Sequence, residues 1–154
     1  PDSTLMAAAD WTRMLIEHSV AEIVAGTEDR FIPQAIALDK RGGVHFRKGC
    51  YPGQEVVKRA QTYGQVKKRL ALLRYTPNVT LGAAPYSRPD IASEPALKPG
   101  SELKLHTQIC ADVLSVSDGL CLIVADPLLS DGQHDIYCDA LPSPIQAVIE
   151  TARL

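Results

Sequence analysis

One thiol, with a cation two residues before it and a carboxylate five residues after it, is where this sequence could do chemistry: Phe46-Arg47-Lys48-Gly49-Cys50-Tyr51-Pro52-Gly53-Gln54-Glu55. A cysteine acts as nucleophile or metal ligand in its thiolate form, which a nearby cation and the unpaired N–H groups of a helix start both favour. Gly42-Gly43 signals a turn, Val44 and Phe46 alternate with His45 and Arg47 as in a short half-buried strand, and Gly49 frees the backbone to turn. Pro52 suits a first helical position because its fixed φ is already helical, and Glu55 in the first turn complements the helix dipole. The pattern predicts a strand, a hinge carrying Cys50 beside Lys48, and a helix over 54–63 that ends at Gly64. The competing reading is a small hydrophobe that packs rather than reacts.

The other cysteines, Cys110, Cys121 and Cys138, form no CxxC pair and no zinc-finger spacing with histidine, so no metal site is expected. Cys121 sits inside Leu120-Cys121-Leu122-Ile123-Val124 and reads as core. Nothing marks the chain as secreted, and two disulfides are not expected. The longest apolar run, Leu120 to Ala125, is far short of the roughly 20 residues that span a bilayer, so no membrane association is expected.

Charge is split along the chain. Between Lys40 and Arg74 stand ten lysines and arginines against Glu55 alone, while the remainder holds six against seventeen carboxylates. A positive field over one region suits phosphates, polycarboxylates or nucleic acid; a solvated basic face is the bland alternative.

The elements that must position the thiol follow from periodicity. Residues 7–18 place Ala7, Trp11, Met14 and Leu15 at helical spacing, with Trp11 as a core anchor and His18 at the helix end without a catalytic role. Val20 to Ala25 is a short strand candidate, and Pro33 limits 30–39 to a turn and one or two helical turns. Gln34 in that apolar stretch is either a satisfied buried amide or a ligand contact. In the helix after the motif, Val56, Val57 and Ala60 face inward, and Glu55 can pair with Lys58 or Arg59. A strand that starts basic and turns apolar follows over 66–75. Residues 76–100, with five prolines, read as a connection. Beyond them come short strands at 102–105, 109–116, 120–125 and 136–141, separated by Ser117-Asp118-Gly119 and Asp131-Gly132, as in a small barrel or sandwich. The tail 143–154 fits a helix or a closing strand. No Gly-rich phosphate loop, GxSxG, HExxH or repeat is present.

Taken together, Phe31-Ile32-Pro33-Gln34, Gly43, Phe46, Lys48-Gly49-Cys50-Tyr51-Pro52-Gly53-Gln54-Glu55 and Arg59 resemble the signature of the YgfZ family. These are folate-binding proteins of iron–sulfur cluster assembly or repair, related to the glycine-cleavage T-protein. Trp11 and Arg13 stand where the family carries a Trp-x-x-x-Arg-like helix, here as Trp-x-Arg. The resemblance is close over 30–75 and loose elsewhere. It implies an α+β chain, with the end of a mixed α/β middle domain over residues 1–75, a Pro-rich connection over 76–100, and a small C-terminal antiparallel β-barrel over 101–154. It also implies that the N-terminal half of the parent protein, which completes the folate site, lies outside these residues; the start at Pro1, without an initiator Met, fits a fragment or a processed product.

By the same resemblance the cofactor is tetrahydrofolate, and the partners are folate and iron–sulfur assembly or client proteins, one of which modifies tRNA. The compartment is the cytoplasm, or the mitochondrial matrix in a eukaryote. Cys50 and Lys48 become the catalytic candidates, with Cys50 taking a one-carbon group or transiently holding a persulfide or cluster. Gln34, Tyr51, Gln54, Glu55 and Arg59 become the cofactor-binding candidates. The alternatives are a T-protein-like aminomethyltransferase and a basic nucleic-acid-binding module, although only Tyr51, Tyr63 and Tyr75 interleave the cations.

Overall fold

The computed structural model describes residues 6–64, 66–76, 97–141 and 143–152. Two helices, α1 (Ala8–Glu17) and α2 (Gln54–Tyr63), precede six strands: β1 (Arg69–Tyr75), β2 (Glu102–Leu105), β3 (Gln108–Ser117), β4 (Leu120–Ala125), β5 (Gly132–Ile136) and β6 (Ile145–Thr151). The strands form one antiparallel sheet in the order β2-β3-β4-β1-β6-β5. Its two edges meet where Lys104 and Tyr137 exchange backbone hydrogen bonds of 2.8 and 2.9 Å, so the sheet is a nearly closed barrel. Register shifts in β2 between Leu103 and Lys104, and in β3 between Val113 and Ser115, supply the local bends that closure needs.

The apolar pattern explains this arrangement. β1 and β4 are buried on both faces, which is why they read as continuous apolar runs rather than alternating ones. Ala71, Leu73, Cys121 and Ile123 point into the barrel with Leu103, Val113, Ile136 and Ile149. Leu70, Leu72, Leu120, Leu122 and Val124 point outward and are covered by Ile16 of α1 and by Ala35, Ile36 and Ala37. β6 alternates Ile145, Ala147 and Ile149 inward with Gln146 and Glu150 outward, so the tail is a strand and not a helix.

Several expectations are corrected. β1, placed with residues 1–75, lies mid-sheet between β4 and β6, so the barrel is not confined to 101–154. Its apolar content needed partners on both edges, which only the later strands provide. The Pro-rich connection lies largely outside the described residues, which resume at Leu97. Val20 to Ala25 forms no strand: Ser19 reverses the chain at φ 56°, and Ile23 and Val24 are left exposed with no sheet edge beside them. Val44 to Arg47 is also not a strand, because nothing among the described residues pairs with it, and the chain turns at Phe46-Arg47. The fifth strand is Gly132–Ile136 with Tyr137 bridged, rather than 136–141, because the turn at Cys138 to Leu141 ends the ladder. Trp11 is 50% exposed, since α1 meets the barrel through Leu15 and Ile16 and does not present its tryptophan to the core. His18 uses its Nδ1 locally, 2.9 Å from the Met14 carbonyl oxygen.

Candidate functional site

Cys50 is exposed, whereas Cys110, Cys121 and Cys138 are buried and none is in a disulfide. Burial separates the thiols chemically. It pushes the Cys121 thiol up to about 12 and raises Cys110 as well, so neither serves as a nucleophile near neutrality. Tyr75, beside Cys121, is itself pushed up to about 12, first by burial and then by that neighbour. The sequence expectation of a core Cys121 therefore stands, and Cys50 is the accessible thiol.

The backbone around Cys50 differs from the predicted hinge. Gly53 is the N-cap of α2, at φ 81° and ψ −3°, and the Gln54 N–H donates to the Tyr51 carbonyl oxygen at 3.2 Å. Tyr51-Pro52-Gly53-Gln54 is thus a type II turn, with proline and a left-handed glycine at its two corners. Pro52 serves that turn instead of opening the helix, and Val57 donates back to Gly53 at 3.3 Å as α2 begins. Cys50 precedes the turn and does not sit directly on the helix end. The Lys48 ammonium lies 4.4 Å from the centre of the Tyr51 ring, a cation–π contact that gathers the cation and the ring around the thiol-bearing residue between them.

The remaining candidates divide into two places. Glu55 and Arg59 pair at 2.7 Å on the open face of α2, with side chains 80% and 71% exposed, so the pair adds little to stability. They line a shallow groove of about 570 Å³ with Val56, Ala60, Tyr63 and Gly64. Val56, expected inward, is 57% exposed there, and Val57 alone of the helix is buried. Gln54, half-buried, opens the helix. Gln34 lies elsewhere: its Nε2 donates to the Val57 carbonyl oxygen at 2.7 Å, while its Oε1 is buried without a partner. The amide is half satisfied, and it holds α2 from behind.

A second cleft, of about 320 Å³, opens between residues 30–35 and the end of α2. Phe31, Ile32, Ala35, Ala60 and Val66 give it apolar walls, and Arg30, Lys67 and Lys68 stand at its rim. Sequence reasoning missed the group that sets this rim. Asp112, 4% exposed on β3, accepts from Arg30 Nη2 at 2.5 Å and from Lys68 Nζ at 2.9 Å. Its signal was a lone carboxylate within the apolar run Ile109-Cys110-Ala111-Asp112-Val113-Leu114.

The basic region is partly neutralised by folding. Besides Lys68 and Arg59, Arg69 pairs with Asp131 at 2.9 Å and Arg74 lies 3.7 Å from Glu150. Among the described residues, Lys40, Arg47, Lys58 and Lys67 form no ion pair with a carboxylate. No helix among the described residues is long and apolar enough to cross a membrane. No family model matches the chain.

Proposed function

We propose that this chain is part of a tetrahydrofolate-binding protein that supports iron–sulfur cluster assembly or repair, and through it tRNA modification, with Cys50 as its working thiol. The observation that carries the reading is the exposure of Cys50 alone among four cysteines, within the segment that resembles the YgfZ signature. Lys48 and Tyr51, on either side of Cys50 in the sequence, bring a cation against an aromatic face. Both suit an anionic, planar ligand, and Lys48 would steady negative charge developing on sulfur.

The second cleft supports the same reading. Its apolar walls suit a flat ring system, and its cationic rim suits the carboxylates of a glutamate tail. Lys67, which forms no ion pair with a carboxylate among the described residues, is the rim cation placed to meet such a tail. Tetrahydrofolate supplies a carrier for one-carbon groups; this chain supplies the thiol, its flanking cation and one wall of the site. The Cys50 thiolate then forms a C–S bond to a folate-borne one-carbon group as that group's C–N bond to the folate breaks and the folate nitrogen takes up a proton, or it transiently ligates a cluster iron for a client protein.

Two measurements on the complete natural polypeptide that contains these residues test the proposal. Calorimetric titration with tetrahydrofolate is expected to show saturable binding that survives Cys50→Ala. Cys50→Ala is expected to abolish the rescue of iron–sulfur enzyme activity in cells depleted of the protein. Absence of saturable binding, or full rescue by Cys50→Ala, overturns it.

The T-protein-like reading draws on the same fold but gains no separate observation. A nucleic-acid module is less well supported, because Asp112, Asp131, Glu150 and Glu55 occupy four of the cations on which it would depend.

A further inference from the structure

We infer that Asp112 is a positioning residue for the Cys50 segment: from the outer face of the barrel wall it clamps both chain segments that hold α2. The inference does not depend on folate being the ligand.

Asp112 reaches the two segments through different oxygens. Its Oδ1 accepts from Arg30, which begins the stretch leading to Gln34, and its Oδ2 accepts from Lys68, which ends the stretch leaving α2. Arg30 is fixed further by donating to the Gly100 carbonyl oxygen at 2.9 Å and to Glu102 Oε1 at 3.3 Å. Gly26 and Gly100 are so closely apposed that a Cβ on Gly100 would lie 2.6 Å from the Gly26 oxygen. The path from Arg30 to α2 is short and stiff. Phe31 and Ile32 pack on the outer core, Ala35 donates to Ile32 and Leu38 to Pro33, each at 2.9 Å, and Gln34 then bonds the Val57 carbonyl oxygen.

The alternative, a carboxylate that merely strengthens the barrel, fits less well. A buried ion pair is weak evidence for stability, since apolar replacements often do as well. Both arms of Asp112 also end on connecting segments instead of on a second strand. Among the described residues α1 packs directly on β3 and β4, but α2 has no comparable strand contact. Its placement therefore depends on Gln34, Val57 and the segment that ends at Lys68.

The test compares the unaltered chain with Asp112→Asn, Gln34→Leu and the double variant, by amide hydrogen exchange and by the rate of iodoacetamide reaction at Cys50. Asp112→Asn keeps the side-chain shape and removes the charge. The expected result is at least a tenfold loss of protection in α2 relative to β1 and β4, with at least a threefold change in the Cys50 rate. Gln34→Leu is expected to do the same, and the double variant to do no more than the stronger single one, because both cut one path. Should Asp112→Asn not fold, Arg30→Gln and Lys68→Gln each remove one arm and serve in its place. The inference is overturned if α2 and the barrel lose protection together, or if α2 and the Cys50 rate are unaffected. Multiplying single effects in the double variant, or no protection of α2 even in the unaltered chain, overturns it as well.

Discussion

Gln34 donates its side-chain N–H to the main-chain carbonyl of Val57, 2.7 Å away and 23 residues along the chain. This bond joins the Phe31-Ile32-Pro33-Gln34 segment to the helix behind the Cys50 turn, and it gives a glutamine in an apolar neighbourhood a physical task. Gln34→Glu would face one acceptor with another. The variant is expected to lose about 1–3 kcal/mol near neutral pH, the cost of a buried unpaired polar group. The folded state disfavours the introduced carboxylate and so raises its pKa above the unfolded value of about 4.3. The penalty is therefore absent below that unfolded value and grows as pH rises. Urea melts of both proteins at acidic and neutral pH check it.

Gly53 and Gly100 have different reasons to be glycine. Both have positive φ, but a Cβ at Gly53 meets nothing within 4 Å, whereas at Gly100 it would strike the Gly26 carbonyl. Gly53→Ala is expected to cost roughly 1–2 kcal/mol, from backbone strain alone. Gly100→Ala is expected to cost clearly more, because strain and collision add. Chemical denaturation of the two variants side by side measures the difference.

Trp11 and Leu73 test where the core lies. Trp11 is half exposed on α1, and Leu73 is fully buried inside the barrel. Leu73→Ala should cost about 2–5 kcal/mol. Trp11→Ala should cost less than about 1 kcal/mol, in line with a surface substitution.

Asp131 is held below the usual carboxylate range by the Thr151 hydroxyl and backbone, with Arg69 adding to the effect. A depressed folded pKa means that its contribution is present above the unfolded pKa and is lost as pH falls through the folded one. Since Asp131 lies at the surface, the contribution should be only a few tenths of a kcal/mol. Asp131→Asn is expected to remove that increment at neutral pH and to match the unaltered chain in strongly acidic solution, as thermal melts across pH would show.

Parts of this architecture could be read directly from residue patterns. α2 is legible at its observed bounds, because Gln54 to Tyr63 carries helix formers, with Glu55 in the first turn and Gly64 just past the end. The short strands and the burial of Cys121 followed from apolar runs and turn residues. What stayed hidden depended on partners remote in sequence. Nothing local to Arg69–Tyr75 says that it pairs with both Leu120–Ala125 and Ile145–Thr151, and Val20 to Ala25 looks like a strand until no edge is found beside it. The same holds at the site. Lys48 and Tyr51 are neighbours by spacing, but the bond from Gln34 to Val57 spans 23 residues and that from Lys68 to Asp112 spans 44. Pro52 was misplaced for a smaller reason: a proline before glycine opens a type II turn as readily as a helix, and only the left-handed Gly53 decides between them.

The central claim is that Cys50 lies in a folate site, and the most direct measurement is its rate of reaction with iodoacetamide, followed by mass spectrometry on the complete natural polypeptide. The buried positions of Cys110, Cys121 and Cys138 predict that, of these four cysteines, only Cys50 is labelled in the native protein, and all four are labelled once it is denatured. Saturating tetrahydrofolate, with binding verified by calorimetry, is expected to slow the native reaction at least tenfold. An unchanged rate with folate bound would contradict the account.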